Sequence, residues 1–222
     1  VAEAIMNCQG DYTKLYDATI ASMRLIGPKY PCSGYGENFF RWLYSDRPKP
    51  YDSYGNGAAM RISPVAYIAT SLADVKKYSR AVTETTHNNI EGIKGAEAVA
   101  SAIFLARSGK TQAEIRDYIC HNYYPLNFTL DEIRPTYEFD SSCQGTVPQA
   151  IVAFLEANSF EDAIRNAISI GGDADTIAAI TGSIAEAYFS IPEEIAEKAL
   201  LYLDELQLDI LQRFENFRKV LR

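Results

Sequence analysis

The apolar residues of this chain recur at spacings of three and four, and no stretch of useful length alternates with the period of two that a half-buried strand requires. The segment Ile90–Arg107 is the clearest case, since it is long, apolar and rich in alanine, so that other helices can pack closely against it. There is no internal repeat at a solenoid period and no low-complexity tract. These patterns predict an all-α fold in which residues 1–222 form a single compact multi-helix domain.

Capping residues, prolines and glycines divide the chain into predicted helices. Predicted helical segments cover 11–26, 37–44, 58 onward with a bend at Pro64, 71–81, 90–107, 111 onward, 147–158, 160–170, 173–189 and 193–220. In the predicted helix over 11–26, the face that we expect to be buried carries Leu15, Ala18, Thr19, Ser22 and Leu25. In the last, we expect the domain core to be closed by Ile195, Leu200, Leu203, Leu206, Leu211 and Phe214.

Composition and charge exclude several classes of protein. The 29 acidic residues outnumber the 21 basic ones and are spread along the chain, which argues against a nucleic-acid groove. No apolar run approaches a membrane span, and the N-terminus lacks the basic region of a signal peptide. The four cysteines are scattered. We therefore expect a cytoplasmic, monomeric protein with reduced thiols that binds neither nucleic acid nor membrane.

The segment that carries candidate chemistry begins at Gly171-Gly172. Asp173, Asp175 and Thr176 follow at the first turn of a predicted apolar helix. Two carboxylates and a hydroxyl offer only oxygen ligands, which suits Mg²⁺ or Mn²⁺, and the chain has only two histidines for a zinc site. A simpler interpretation remains open, in which one aspartate caps the helix and the other is favoured by the helix dipole.

Five motifs in order resemble those of the ADP-ribosylglycohydrolases, the family that includes dinitrogenase reductase-activating glycohydrolase. The similarity covers nearly the whole chain. The matching segments are Gly34-Tyr35-Gly36, Gly55-Asn56-Gly57-Ala58-Ala59-Met60-Arg61, Thr86-His87, Gly145-Thr146-Val147-Pro148-Gln149-Ala150 and Gly171-Gly172-Asp173-Ala174-Asp175-Thr176.

The resemblance implies an all-helical enzyme with two Mg²⁺ ions in a cleft, which cleaves the glycosidic bond between ADP-ribose and a protein side chain or a small molecule. The implied metal ligands are Asp173, Asp175 and Thr176, and the implied substrate-binding residues are Tyr35, Gly36, Gly55, Asn56, Gly57 and His87. Backbone N–H groups beside Asn56 could face a pyrophosphate, although the same loop is also typical of a plain turn. His87 could contact a ribose, although a lone histidine is more often a helix cap or a buried residue with satisfied hydrogen bonds. Met60 is expected to pack in the core, and Arg61 could form a structural ion pair. No residue is assigned as general acid, general base or nucleophile.

One segment of the family pattern has no counterpart in this sequence. The family's Thr-Asp-Asp-Thr type motif supplies further metal ligands, whereas this chain starts at Val1-Ala2-Glu3-Ala4, which resembles the helix after that motif. We expect an N-terminally truncated domain that binds Mg²⁺ poorly and turns over slowly. Two alternatives stay open: a catalytically impaired module that binds ADP-ribose or a nucleotide, and a helical interaction protein that uses 193–220 as its partner face.

Overall fold

A computed structural model of the chain describes residues 1–220, and all regular structure within that range is helical. Two 3₁₀ turns, Tyr12–Lys14 and Gly27–Lys29, accompany the α-helices. The helices are α1 (Ala2–Asn7), α2 (Leu15–Ile26), α3 (Glu37–Tyr44), α4 (Gly57–Met60), α5 (Ser63–Ile68), α6 (Leu72–Thr83), α7 (Ile90–Arg107), α8 (Gln112–Asn122), α9 (Leu130–Ile133), α10 (Cys143–Leu155), α11 (Phe160–Ser169), α12 (Ala174–Phe189), α13 (Glu193–Leu200) and α14 (Glu205–Val220). The predicted all-α class is confirmed.

Helix α7 lies at the centre of the core, with α4, α5, α6, α10 and α12 packed around it. Its alanines and glycines allow this crowding, because small side chains leave room for close neighbours. At Gly95 an added Cβ would lie 2.6 Å from Cys143 Sγ, and at Gly92 it would lie 2.7 Å from the Ser53 carbonyl oxygen. The loop before α4 and the start of α10 are therefore held directly against α7.

Helix α12 carries the acidic motif at its N-terminus and packs against α7, α10 and α11. Ile177, Ile180 and Ile184 are fully buried on one face, as the sequence spacing predicts. The Thr181 hydroxyl donates to the Ala150 carbonyl of α10 over 2.9 Å. These contacts fix the first turn of α12 close to α4, with which it is also in contact.

Most predicted helix starts agree with the structure, because each depends on a local capping bond. Ser71 and Asn89 accept from backbone N–H groups at the starts of α6 and α7. Thr111 and Glu114 form the expected reciprocal capping box at α8. Helix α10 is an exception, since it begins at Cys143 and not at 147. The cause is Ser142, whose Oγ accepts the Gly145 N–H at 3.1 Å.

The predicted buried face of α2 is wrong at Leu25, whose side chain is 63% exposed. Leu15, Thr19 and Ser22 are buried as expected. Because an α-helix turns by about 100° per residue, Leu25 lies roughly 80° around the axis from Leu15, beyond the edge of the buried face.

The predicted single helix over 193–220 is also wrong, since α13 and α14 are separated by residues 201–204. Asp204 accepts the Gln207 N–H at 2.9 Å, and its own N–H donates to Gln207 Oε1 at 3.1 Å, which starts a new helix. The expected closure of the core is only partial: Phe214 is 6% exposed, whereas Leu211 is 39% exposed. Within residues 1–220 no helix combines the length and apolar character needed to cross a bilayer.

Candidate active site

A cleft of about 990 Å³ opens between α2, α3, the loop before α4 and the N-terminus of α12. This volume falls at the upper end of the range for small-molecule sites. All nine residues singled out from the sequence line it: Tyr35, Gly36, Gly55, Asn56, Gly57, His87, Asp173, Asp175 and Thr176. The structure thus brings the separate motifs together, while the binding role of each residue stays a prediction.

Two left-handed glycines form the turn that presents the acidic wall of the cleft. Gly171 has φ +73° and Gly172 has φ +65°, a region that residues with a Cβ rarely adopt. Gly172 has a second constraint, because an added Cβ would lie 2.4 Å from Tyr137 Cε1. Tyr137 is held in turn by its hydroxyl, which donates to the Gly145 carbonyl over 2.7 Å.

Asp173 stands at the N-cap position of α12, but its carboxylate makes no capping hydrogen bond to the helix. Asn56 Nδ2 donates instead to Asp173 Oδ2 across the cleft wall, at 2.6 Å. The simple capping interpretation of Asp173 therefore fails at its side chain, which accepts from Asn56 and not from the helix backbone.

The environments of the two aspartates differ. Burial, together with the neighbouring Asp175, raises the pKa of Asp173. The pKa of Asp175 is lowered, first by a hydrogen bond with Asp173 and then by the Thr176 backbone N–H. The Thr176 hydroxyl contacts Met60 Sδ at 3.7 Å and is also hydrogen-bonded to the Asp173 carboxylate. Such a crowded set of oxygen donors suits a hard cation, whose charge relieves the repulsion between carboxylates.

Asn56 ties the glycine loop to the acidic wall. Besides Asp173, its Nδ2 donates to Thr146 Oγ1 at 3.0 Å, and the Thr146 hydroxyl donates to the Asp140 carbonyl at 2.9 Å. The Asn56 backbone N–H donates to the Ser141 carbonyl at 2.7 Å. The side chain is 7% exposed, so these bonds are sheltered from water. Thr146 was not singled out from the sequence, although it lies in one of the five motifs.

The expectation that the glycine loop offers its backbone N–H groups to a pyrophosphate does not hold at Asn56, because Ser141 already accepts that hydrogen. The Gly55 N–H is also used, by Ser53 Oγ at 3.1 Å. The reason is tertiary, since Gly55 and Ser142 form an antiparallel bridge between the loop and the start of α10. The loop is therefore held in place by the α10 segment.

His87 lies under the same loop and is 6% exposed. Its Nδ1 is 2.7 Å from Thr86 Oγ1, and Arg61 Nη2 donates to that same oxygen at 2.6 Å. Burial and, to a smaller extent, the charge of Arg61 lower the pKa of His87 to about 3. His87 is therefore a neutral ring in the cleft wall.

Arg61 and Met60 differ from their expected roles. Within residues 1–220 no carboxylate lies within 4 Å of the Arg61 guanidinium, so it forms no structural ion pair, and its Nε is buried without a hydrogen-bond partner. Burial lowers the pKa of Arg61 to about 10. Met60, expected in the core, is 45% exposed and lines the cleft.

Aromatic side chains form another part of the cleft wall. Tyr35 and Phe39 make an edge contact with ring centroids 5.1 Å apart, and Phe39 stacks on Trp42 at 5.7 Å. Phe139 contributes a side chain that is 70% exposed. Phe39 and Phe139 were not predicted from the sequence as cleft residues, since neither belongs to a motif.

The donors for a metal are few in the part of the chain that is described. Among residues 1–220 no group of three or more histidine, cysteine, aspartate or glutamate side chains is placed to hold a metal ion. The available oxygen donors at the acidic wall are the two carboxylates of Asp173 and Asp175 and the hydroxyl of Thr176. They fit part of the coordination of Mg²⁺, which prefers six oxygen ligands and usually keeps several waters.

Fold and site together define an all-helical protein in which a glycine loop and an acidic helix N-terminus are joined by a hydrogen bond in the wall of one cleft. The sequence profile of the ADP-ribosylglycohydrolases matches residues 1–218. The chain belongs to the ADP-ribosylglycohydrolase family.

Individual relatives agree with this assignment. ADP-ribosylhydrolase ARH3 of Bos taurus is 29% identical over 191 residues, covering 65% of this chain and 52% of the relative. An uncharacterized protein of Archaeoglobus fulgidus is 31% identical, covering 68% and 55%. ADP-ribosylarginine hydrolase Tri1 of Pseudomonas putida is 28% identical, covering 65% and 42%. The chain spans about half the length of the curated relatives it matches.

A solved structure described as an ADP-ribosylglycohydrolase-related protein complex shares the fold. Its TM-score is 0.66 at 23% identity, and the match covers 94% of this chain and 74% of that one. At this identity the similarity concerns the fold alone.

Proposed function

We propose that the cleft binds ADP-ribose and belongs to a hydrolase that cleaves the glycosidic bond between ADP-ribose and a modified protein side chain or small molecule. Membership of the family supports this proposal, as do relatives named ADP-ribosylhydrolase and ADP-ribosylarginine hydrolase. The observation that carries it is the bond from Asn56 Nδ2 to Asp173 Oδ2, at 2.6 Å, which joins the glycine loop and the acidic motif into one site.

We further propose that the enzyme uses Mg²⁺, with two ions in a complete site and Mn²⁺ able to replace it. Asp173, Asp175 and Thr176 would be the ligands from this chain. A bound divalent cation supplies positive charge that polarises ligand oxygens. The support is chemical: the three side chains offer only oxygen, and burial of Asp173 beside Asp175 raises the pKa of Asp173, a penalty that a cation removes.

In this proposal, side chains of the protein position the metal ligands and the bound ADP-ribose. Asn56 fixes the direction of the Asp173 carboxylate by donating to its Oδ2. Orientation of a ligand by an outer hydrogen bond is a general feature of metal sites. Aromatic side chains such as Phe39 and Phe139 give the cleft apolar surface against which a flat base can pack.

A second candidate is a binding module that holds ADP-ribose without efficient turnover. The observation that favours it is the shortage of carboxylates, since residues 1–220 place only Asp173 and Asp175 at the acidic wall. Cation affinity falls with the number of charged ligands. On this view the cleft binds ADP-ribose, and Mg²⁺ adds little.

Calorimetry with ADP-ribose, in the presence and absence of Mg²⁺, separates these possibilities. For the hydrolase we expect binding that Mg²⁺ strengthens, and we expect Asp175→Ala to remove that strengthening. Asp131→Ala is the matched control, because Asp131 also lies in the first turn of a helix but outside the cleft. Release of free ADP-ribose from an ADP-ribosylated protein measures turnover.

Each outcome decides between the candidates. Binding of ADP-ribose that does not respond to Mg²⁺, with no release of ADP-ribose from the modified protein, supports the binding module and refutes the hydrolase proposal. No binding of ADP-ribose at millimolar concentration, with or without Mg²⁺, overturns both.

A further inference from the structure

A chain of hydrogen bonds runs from a buried cation to the ring of His87. Arg61 Nη2 lies 2.6 Å from Thr86 Oγ1, and Thr86 Oγ1 lies 2.7 Å from His87 Nδ1. Thr86 is fully buried and His87 is 6% exposed, so water does not compete at these bonds. This series of hydrogen bonds is short enough for each hydrogen to be assigned from the number of donors and acceptors on each group.

The hydrogen count gives the direction of each bond. A guanidinium can only donate, so Thr86 Oγ1 accepts from Arg61. The Thr86 hydroxyl has one hydrogen of its own, and a bond to His87 Nδ1 needs one hydrogen between the two atoms. That hydrogen comes from the hydroxyl if the histidine proton is on Nε2, or from the ring if it is on Nδ1.

The electrostatics favour the hydroxyl as donor. The positive charge of Arg61 lies directly behind Thr86, so it favours a lone pair on Nδ1 and disfavours an N–H dipole that points towards it. The Tyr51 phenol is a further hydrogen-bond partner of the Thr86 hydroxyl, and its ring is 6.0 Å from that of His87. A phenol can donate its own hydrogen to the second lone pair of Thr86 Oγ1, which leaves the Thr86 hydrogen for His87 Nδ1.

We propose that Arg61 and Thr86 are positioning residues that hold His87 neutral, with its proton on Nε2, as a hydrogen-bond donor to an oxygen of the ligand in the cleft. Nε2 faces the glycine loop, since it lies 3.6 Å from the position of an added Cβ on Gly55 and 3.9 Å from that on Gly57. Within the described residues no hydrogen bond uses Nε2. The ligand role rests on the proposed function, whereas the tautomer does not.

The selectivity that follows is for oxygen acceptors. A ring that donates from Nε2 stabilises a phosphate or ribose oxygen at that point of the cleft and disfavours a ligand that presents an N–H there. With the opposite tautomer, the ring would offer a lone pair and the preference would be reversed.

Nitrogen NMR of the ¹⁵N-histidine-labelled chain without ligand tests the tautomer directly. The chain has only two histidines, so His121→Gln assigns the His87 signals. We expect Nε2 to show the shift of a protonated ring nitrogen and Nδ1 that of an unprotonated one. A proton on Nδ1, or a positively charged ring at pH 7, overturns the proposal whatever the protein binds.

Variants of Thr86 test the hydrogen-bond relay from Arg61 through Thr86 to His87. Thr86→Val keeps the side-chain volume but removes the hydroxyl, so we expect a mixture of tautomers and about tenfold weaker binding of ADP-ribose, the effect of one lost hydrogen bond. Thr86→Ser restores the hydroxyl and should restore both readouts. Thermal unfolding checks that each variant is folded.

The outcomes distinguish the inference from the proposed function. A single Nε2–H tautomer in both the original chain and Thr86→Val refutes the positioning role, even if ADP-ribose binds. If the tautomer shifts in Thr86→Val and recovers in Thr86→Ser while ADP-ribose binds to neither, the relay is supported and the proposed function fails.

Discussion

The hydrogen bond between Asn56 and Asp173 joins two motifs that are 117 residues apart, and its strength can be measured in a double-mutant cycle. The perturbations are Asn56→Ala, Asp173→Ala and the two together. Asn56 Nδ2 also donates to Thr146 Oγ1, but that bond is lost in the single and the double variant alike. It therefore cancels in the cycle, and only the energy that depends on both residues remains.

The expected coupling follows from the geometry. A hydrogen bond to a charged acceptor contributes about 1.5–3 kcal/mol when both groups are sheltered. Asn56 is 7% exposed, but Asp173 is only partly buried, so solvent screens one end of the bond. We therefore expect a coupling of about 1–2 kcal/mol in the free energy of unfolding at pH 7.

Urea unfolding of the four proteins, followed by circular dichroism, gives this value. Asn166→Ala is the matched control, because Asn166 Nδ2 also makes a half-buried bond, to the Ala153 carbonyl at 3.3 Å, away from the cleft. Its effect should add to that of Asp173→Ala within about 0.5 kcal/mol. If Asn56 and Asp173 are equally additive, the claim that this bond holds the two motifs together is refuted.

Two further predictions concern the glycine turn and the buried histidine. Gly172→Ala should destabilise the fold by about 1–2 kcal/mol more than Gly171→Ala, because both have positive φ but only Gly172 would place its Cβ against the Tyr137 ring; equal losses in urea unfolding would contradict this. The pKa of His87 falls from 6.5 to about 3 on folding, so stability should decline by up to about 1.4 kcal/mol per pH unit as pH drops below 6.5. His87→Gln should flatten that decline between pH 6.5 and 5, and an unchanged slope in unfolding titrations would disprove the assignment.

Much of the helix pattern follows from short stretches of sequence. The spacing of Ile177, Ile180 and Ile184 predicts the buried face of α12, and the Thr111–Glu114 pair predicts the start of α8. The misses occur where the local signal is ambiguous. The start of α10 at Cys143 and the break before Glu205 depend on capping by Ser142 and Asp204, whose side chains could also stand in an ordinary loop.

Some features of the candidate site could likewise be predicted from the local sequence, whereas others could not. The glycines and aspartates of 171–176 could be recognised because the chemistry lies within six residues. By contrast, the use of the Asn56 N–H by Ser141, and the lack of a carboxylate beside Arg61 among residues 1–220, depend on which loops lie next to each other. The residues adjacent in sequence do not determine which loops lie next to each other in the fold.

The sequence by itself determined that this chain is helical, that it carries the motifs of the ADP-ribosylglycohydrolases, and that oxygen ligands open α12. Those properties depend on periodicity and on side chains a few residues apart. Only the tertiary structure decided that Asn56 orients Asp173 and that Arg61 acts through Thr86 on His87. The physical reason is that hydrogen bonds need separations near 3 Å, and only the packing of α4, α7, α10 and α12 brings residues so distant in sequence within that range.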